Sequence, residues 1–146
     1  MVVYTYERKI EIRILTREEF NDLVNNASDG LATVKNLETY GKDVYNFFQV
    51  DNETGSLVID GIPVYCGCIR PNGFTYTLTR KDCVRKYPKT LYKYVKATVR
   101  NWADRFGEVK CEMQVEGTEQ HPVRRWIEKM GYVNTTGNTF VLKRGS

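Results

Sequence analysis

The stretch "CVRKYPKTLYKYV", residues 83–95, sets Arg85, Lys86, Lys89 and Lys93 around Pro88. Proline suits the first turn of a helix, where unpaired N–H groups and the helix dipole favour an anion. The stretch belongs to a longer basic run. Between Arg80 and Arg105 there are nine Lys or Arg (80, 81, 85, 86, 89, 93, 96, 100, 105) against Asp82 and Asp104. The net charge of the whole chain is only +4, so the remainder is slightly acidic and the positive potential is local. Three chemistries fit such a run: phosphate held at the helix start, nucleic acid along the helix, or a solvated face with no ligand. Tyr87, Tyr92 and Tyr94 interleave with the lysines as stacking platforms do in single-strand binding, although Tyr94 also falls on the apolar stripe.

Other reactive side chains are few. Cys66 and Cys68 lie two apart on an apparent strand, so they share a face and are poorly placed to bond to each other. With Cys83 and Cys111 they read as free intracellular thiols, because "MVVYTYERKI" has no secretory pattern. A metal site is not expected, since His121 is the only histidine. No apolar run reaches membrane-spanning length, so a membrane partner is not expected either.

These residues need a scaffold, and 146 residues suffice for one domain with a real core. "KIEIRIL" (9–15) alternates as a half-buried strand. Thr16 and Glu19 have capping-box spacing and start a helix through about Ala27. Val34, Leu37, Val44, Phe47 and Phe48 suggest a second helix from Thr33 to Phe48, interrupted at Gly41. "SLVIDG" and "IPVYCGCI" form a hairpin turning at Asp60-Gly61, and "PNG" leads into a further strand, "FTYTLT" (74–79). Leu91, Tyr94, Val95, Thr98, Trp102, Ala103 and Phe106 mark a long amphipathic helix from Pro88 that stops at Gly107. "EVKCEMQV" alternates again, and "HPVRRWIEKMG" is a helix stopped by Gly131, with Trp126 on its stripe like Trp102 on the other. "YV" and "TFVLKR" close the chain as a hairpin. The order β-α-α-β-β-β-α-β-α-β-β predicts a single α/β domain over 1–146, with Gly145-Ser146 read as a cloning remnant.

That order resembles the GCN5-related N-acetyltransferase (GNAT) fold, a central mixed, mostly antiparallel sheet flanked by helices. "EKMGY" (128–132) is similar to the signature at the exit of that fold's last helix. Residues 74–144 also resemble the small GNAT-like proteins of short-tailed bacteriophages, a group that includes an internal virion protein. The resemblance implies acetyl-CoA as cofactor, an amine as acceptor, and a cytoplasmic or virion-packaged protein. It equally admits a catalytically degenerate module that binds a host or virion protein.

The family's phosphate loop reads Arg/Gln-x-x-Gly-x-Gly/Ala, and here that stretch is Arg85-Lys86-Tyr87-Pro88-Lys89-Thr90. Arg85 is retained, while Pro88 and Thr90 stand where the glycines belong. Proline removes one N–H donor. The resemblance assigns cofactor binding to Leu78 and Thr79 at the end of the fourth strand, to Arg85, Lys86, Tyr87, Lys89 and Thr90, and to Gln120 at the pantetheine position. The expected bases are Glu112, Glu116 or His121. Ile127 stands where the family has its proton-donating tyrosine, with Tyr132 nearby in place of a packing aromatic.

Overall fold

The computed structural model describes residues 1–5, 8–27, 30–39, 41, 43–112 and 122–145. Its elements run β1 (Val2–Tyr4), β2 (Lys9–Ile12), α1 (Arg17–Asn26), α2 (Gly30–Thr39), α3 (Val44–Gln49), β3 (Glu53–Ile59), β4 (Ile62–Ile69) and β5 (Thr75–Thr79). They continue with α4 (Cys83–Lys86), α5 (Pro88–Phe106), β6 (Glu108–Glu112), α6 (Pro122–Lys129), β7 (Val133–Thr136) and β8 (Thr139–Lys143). The α/β class and the mostly antiparallel pairing are as expected; among the described residues the strands are ordered β1-β2-β3-β4-β5 and β6-β8-β7. Contacts divide the chain into two compact units, Met1–Cys68 with Tyr76–Tyr94, and Ile69–Thr75 with Val95–Ser146. Among the described residues no helix is long and apolar enough to cross a membrane.

In the first unit α1 starts as its sequence requires. Thr16 Oγ1 accepts from the Glu19 N–H at 3.1 Å, and the Glu19 carboxylate accepts from the Thr16 N–H at 3.0 Å. Arg13 grips the same carboxylate with bonds of 2.7 and 2.8 Å, which is the main reason the Glu19 carboxyl is held at about 2 instead of 4.5. The strand expected over 9–15 therefore ends at Ile12: Arg13 turns to Glu19, Ile14 is exposed, and the Leu15 N–H goes to the Gln49 side chain at 2.7 Å. The single helix expected over 33–48 is two helices. Gly41 leaves the first in the left-handed region at φ +70, and Asp43 caps the second by accepting from the Asn46 N–H at 3.0 Å.

The core of this unit gathers Leu15, Phe20, Leu23, Val24, Phe47, Phe48, Val58, Cys66, Cys68 and Leu78. Gln49 is buried with them and fully engaged. Its Oε1 accepts from Leu15, and its Nε2, with two hydrogens to donate, has Cys66 Sγ at 2.8 Å, Ser56 Oγ at 3.1 Å and Thr54 Oγ1 at 3.4 Å within reach. Burial pushes the Cys66 thiol up to about 12, so it remains neutral. Between the two buried cysteines Gly67 carries no side chain, and a Cβ there would come within 2.5 Å of the Tyr65 hydroxyl and 3.0 Å of its ring. The β3–β4 turn has φ of 51° at Asp60 and 80° at Gly61, the backbone that an Asp-Gly hairpin favours.

In the second unit the "PNG" turn closes with Gly73 N–H to Arg70 O at 2.9 Å. Phe74 forms an isolated parallel bridge with Lys110, reinforced by Lys110 N–H to Gly73 O at 2.8 Å and Thr75 Oγ1 to Lys110 O at 2.9 Å. β6 and β8 pair antiparallel from Glu108↔Lys143 to Glu112↔Thr139. The buried side chains of α5 are Leu91, Val95, Val99, Trp102 and Ala103. Val99 thus joins the expected stripe, whereas Phe106, at the helix end, is exposed. Trp126 is half-buried on α6 where a core position was expected. "EKMGY" is a helix terminator: the Tyr132 N–H reaches Ile127 O at 3.3 Å, the Gly131 N–H reaches Glu128 O at 3.0 Å, and Gly131 has φ +108.

The Arg13–Glu19 pair, with the capping box behind it, makes the start of α1 acid-sensitive in a defined window. Because the Glu19 pKa is depressed on folding, its contribution is present above its ordinary 4.5 and is lost as pH falls towards about 2. Thr16→Ala is expected to cost about 1 kcal/mol in urea unfolding at neutral pH. Glu19→Gln should also destabilise at neutral pH, and its deficit against wild type should shrink as pH falls through that window. A deficit that does not change with pH would refute the assignment.

Candidate functional site

The exit of β5 is fixed by Arg80. Its N–H donates to Val64 O at 2.9 Å, its Nε donates to Pro63 O at 2.9 Å, and its Nη2 forms an ion pair with Asp22 of α1. Ala27 bridges Arg80, and the next N–H, of Lys81, donates to Asn26 O at 2.7 Å. The chain therefore enters the basic loop from a rigid point.

Asp82 then adopts φ +66, a left-handed conformation rare outside glycine, asparagine and aspartate. It launches the short helix α4, which sequence periodicity did not predict. The turn uses the loop's own donors. The N–H groups of Arg85 and Lys86 go to Asp82 O at 3.1 and 2.8 Å, and that of Tyr87 goes to Cys83 O at 2.7 Å. Pro88, the first residue of α5, has no N–H. Leu91 makes the first helical bond, to Tyr87 O at 2.9 Å, which leaves the preceding N–H groups of Lys89 and Thr90 at the open helix end. Along 85–90 the N–H groups of Arg85, Lys86 and Tyr87 are thus committed within the turn, and Pro88 has none.

The side chains divide in the same way. Arg85 is exposed and its Nη2 lies 3.2 Å from Asp82 Oδ1. Lys89 is exposed and Thr90 half-buried. Tyr87 is only 7% exposed, with the Arg8 guanidinium 4.6 Å and the Lys86 ammonium 5.4 Å from its ring centroid. Arg8 is held in turn by Asp60 at 3.1 Å. The Asp60 carboxyl is kept below its ordinary range chiefly by the Lys9 N–H, then by Arg8, with Lys86 contributing. Tyr87 is thus an anchor for the loop, and its buried ring offers no stacking surface. Leu78 belongs to the core cluster, so only its backbone can meet a ligand, and Thr79 is half-buried.

Of the catalytic candidates, Glu112 is exposed at the last described residue of β6. Glu116, Gln120 and His121 lie outside the described residues. Ile127 is half-buried in the last turn of α6, and Tyr132 is buried. Glu112 and Ile127 belong to the second unit and Arg85–Thr90 to the first. Burial pushes the Cys111 thiol up to about 12, which makes it a poor nucleophile near neutral pH.

Much of the basic run has structural employment. Arg80 is clamped to Asp22, Arg85 pairs with Asp82, and Lys93 lies 5.5 Å from the Tyr94 ring. Arg100 donates to Met130 O at 3.4 Å, and Arg105 donates to Asn101 at 3.1 Å. Arg100 is therefore not the freely solvated charge that its helical position suggests. Sequence reading also missed Asp82 and Arg8. An (i, i+3) Asp–Arg spacing could have flagged Asp82, whereas nothing local connects Arg8 to Tyr87.

Neither a family model nor a curated protein matches the sequence. Solved structures do. A GNAT-family acetyltransferase from Bacillus anthracis superposes with a TM-score of 0.59 at 11% identity, over 98% of each chain. The fold is that of the GNAT acetyltransferases. A GNAT-family acetyltransferase from Streptococcus agalactiae gives 0.55 at 9% identity, over 94% of this chain and 96% of that one. A third, described as a probable acetyltransferase, gives 0.50 at 12% identity, over 98% and 97%. At such identities the likeness is one of fold.

The anchoring role of Tyr87 resides in its ring. Tyr87→Phe should leave thermal stability within about 0.5 kcal/mol of wild type. Tyr87→Ala should cost about 3 kcal/mol by emptying a buried aromatic site. A large loss in the phenylalanine variant would instead assign the anchor to the hydroxyl.

Proposed function

We propose that this chain, acting as a single GNAT-like domain over residues 1–146, is an acetyl-CoA-dependent N-acetyltransferase with an altered phosphate loop. The observation that carries the reading is the GNAT fold across 94–98% of the chain. Support at the residue level comes from the open N–H groups of Lys89 and Thr90 beside the exposed cations Arg85 and Lys89. Acetyl-CoA fits this charge pattern and would supply an acetyl thioester for attack by an amine. Arg85, Lys89 and the two N–H groups would neutralise its pyrophosphate. Glu112 is the described carboxylate offered as base, taking a proton from the amine directly or through water. Ile127 cannot return a proton to the departing thiolate, so water has that role.

A second reading is favoured by two observations, Ile127 at the acid position and Pro88 in the loop. Both fit a GNAT-fold module that has given up catalysis to bind a protein, as the resemblance to the phage virion group suggests. Calorimetry with acetyl-CoA, followed by a thiol-release assay on a panel of primary amines, separates the two. Binding and turnover are expected. A folded protein that gives no heat at millimolar ligand would overturn the enzyme reading and leave the binding module. If Glu112 is the base, Glu112→Gln should lower kcat by about 10²-fold with little change in KM for acetyl-CoA; an unaltered rate assigns the base elsewhere.

A further inference from the structure

The loop departs from its family's pattern in a way that changes how phosphate would be held. We infer that residues 82–90 grip a phosphate-bearing ligand chiefly through the side-chain cations Arg85 and Lys89, with only the N–H groups of Lys89 and Thr90 left of a backbone cradle, and that the Asp82 carboxylate competes with the ligand for Arg85. The inference deepens the acetyl-CoA reading and rests on it.

Three successive N–H groups, of Arg85, Lys86 and Tyr87, are already donated at 3.1, 2.8 and 2.7 Å inside the α4 turn. The fourth position is Pro88, which has none. Opening the turn to recover these donors would cost its three hydrogen bonds and displace Tyr87 from beneath Arg8. The charge that remains available is exposed. The Arg85 side chain is 87% exposed and that of Asp82 is 77% exposed, so their 3.2 Å ion pair is weak and a dianionic phosphate can displace the carboxylate. Lys86 is turned towards the Tyr87 ring and contributes to the field at Asp60, so it belongs to the anchor more than to the grip. Asp82 makes no side-chain cap to α4; its carboxylate is spent on Arg85. A point-charge grip is screened by salt, whereas fixed backbone N–H groups in a cradle are less so.

The test is equilibrium binding of coenzyme A by calorimetry, from about 25 to about 300 mM NaCl, a range that spans strong and weak screening. Wild type should lose roughly tenfold in affinity across it. Lys89→Gln and Arg85→Gln should each weaken binding at low salt by about tenfold, a charge-assisted contact apiece, and flatten the salt dependence. Lys89→Arg and Arg85→Lys should restore most of it. Asp82→Asn preserves a residue tolerant of the left-handed backbone, and should tighten binding by about threefold as Arg85 is released. Melting curves confirm that each variant is folded. If coenzyme A binds with the same affinity at both salts, or if the glutamine variants bind like wild type, the side-chain grip is wrong and the acetyl-CoA reading stands. Weaker binding by Asp82→Asn removes the competitor. No binding at low salt overturns the acetyl-CoA reading itself.

Discussion

Gln49 places an amide in a core otherwise built from groups such as Phe20, Leu23, Phe47, Phe48 and Val58, and a buried amide is tolerated only when its donors and acceptor are used. Its acceptor takes the Leu15 N–H, so the second strand cannot continue, and the chain turns into the Thr16 cap. The cap sets where α1 begins, and the far end of α1 supplies Asp22, Asn26 and Ala27, which hold Arg80 and Lys81. Those contacts decide where the basic loop starts. The position of this solvent-exposed basic loop thus traces back, through a helix and its cap, to one amide in the interior.

The loop itself illustrates a limit of counting charges. A backbone N–H can be donated once, and a helical turn at Cys83–Lys86 competes with any anion for the same hydrogens. Tyr87 gives that turn its advantage, because a buried ring under a guanidinium is harder to move than a glycine would be. A GNAT fold does not by itself fix which backbone donors a loop leaves open. Inheritance of architecture and inheritance of a site are separate matters.

Elements governed by local rules were legible in the sequence. The Thr16–Glu19 box, the Asp60-Gly61 turn, the Pro88 start and the stops at Gly107 and Gly131 each follow from a cap, a left-handed glycine or a first-turn proline within a few residues. Elements governed by distant partners were not. The early end of β2 needs Gln49, thirty-four residues from Leu15, and the burial of Tyr87 needs Arg8. α4 has four residues, too few to show a period, and its start depends on a left-handed aspartate that no hydrophobic pattern announces. For the candidate site, the sequence shows the loop and its cations but not which N–H groups are already committed.

The "CGC" run has a consequence beyond its own strand. Tyr65 and Gly67 point to the same side of β4, and the aromatic ring occupies the volume that any side chain at 67 would need. The two positions therefore cannot drift independently. A homologue with alanine or serine at 67 should carry a smaller residue at 65, or a ring displaced enough to repack its surroundings. In an alignment the pair would appear as correlated columns on either side of Cys66, and a lineage could exchange large-small for small-large only through an overpacked intermediate.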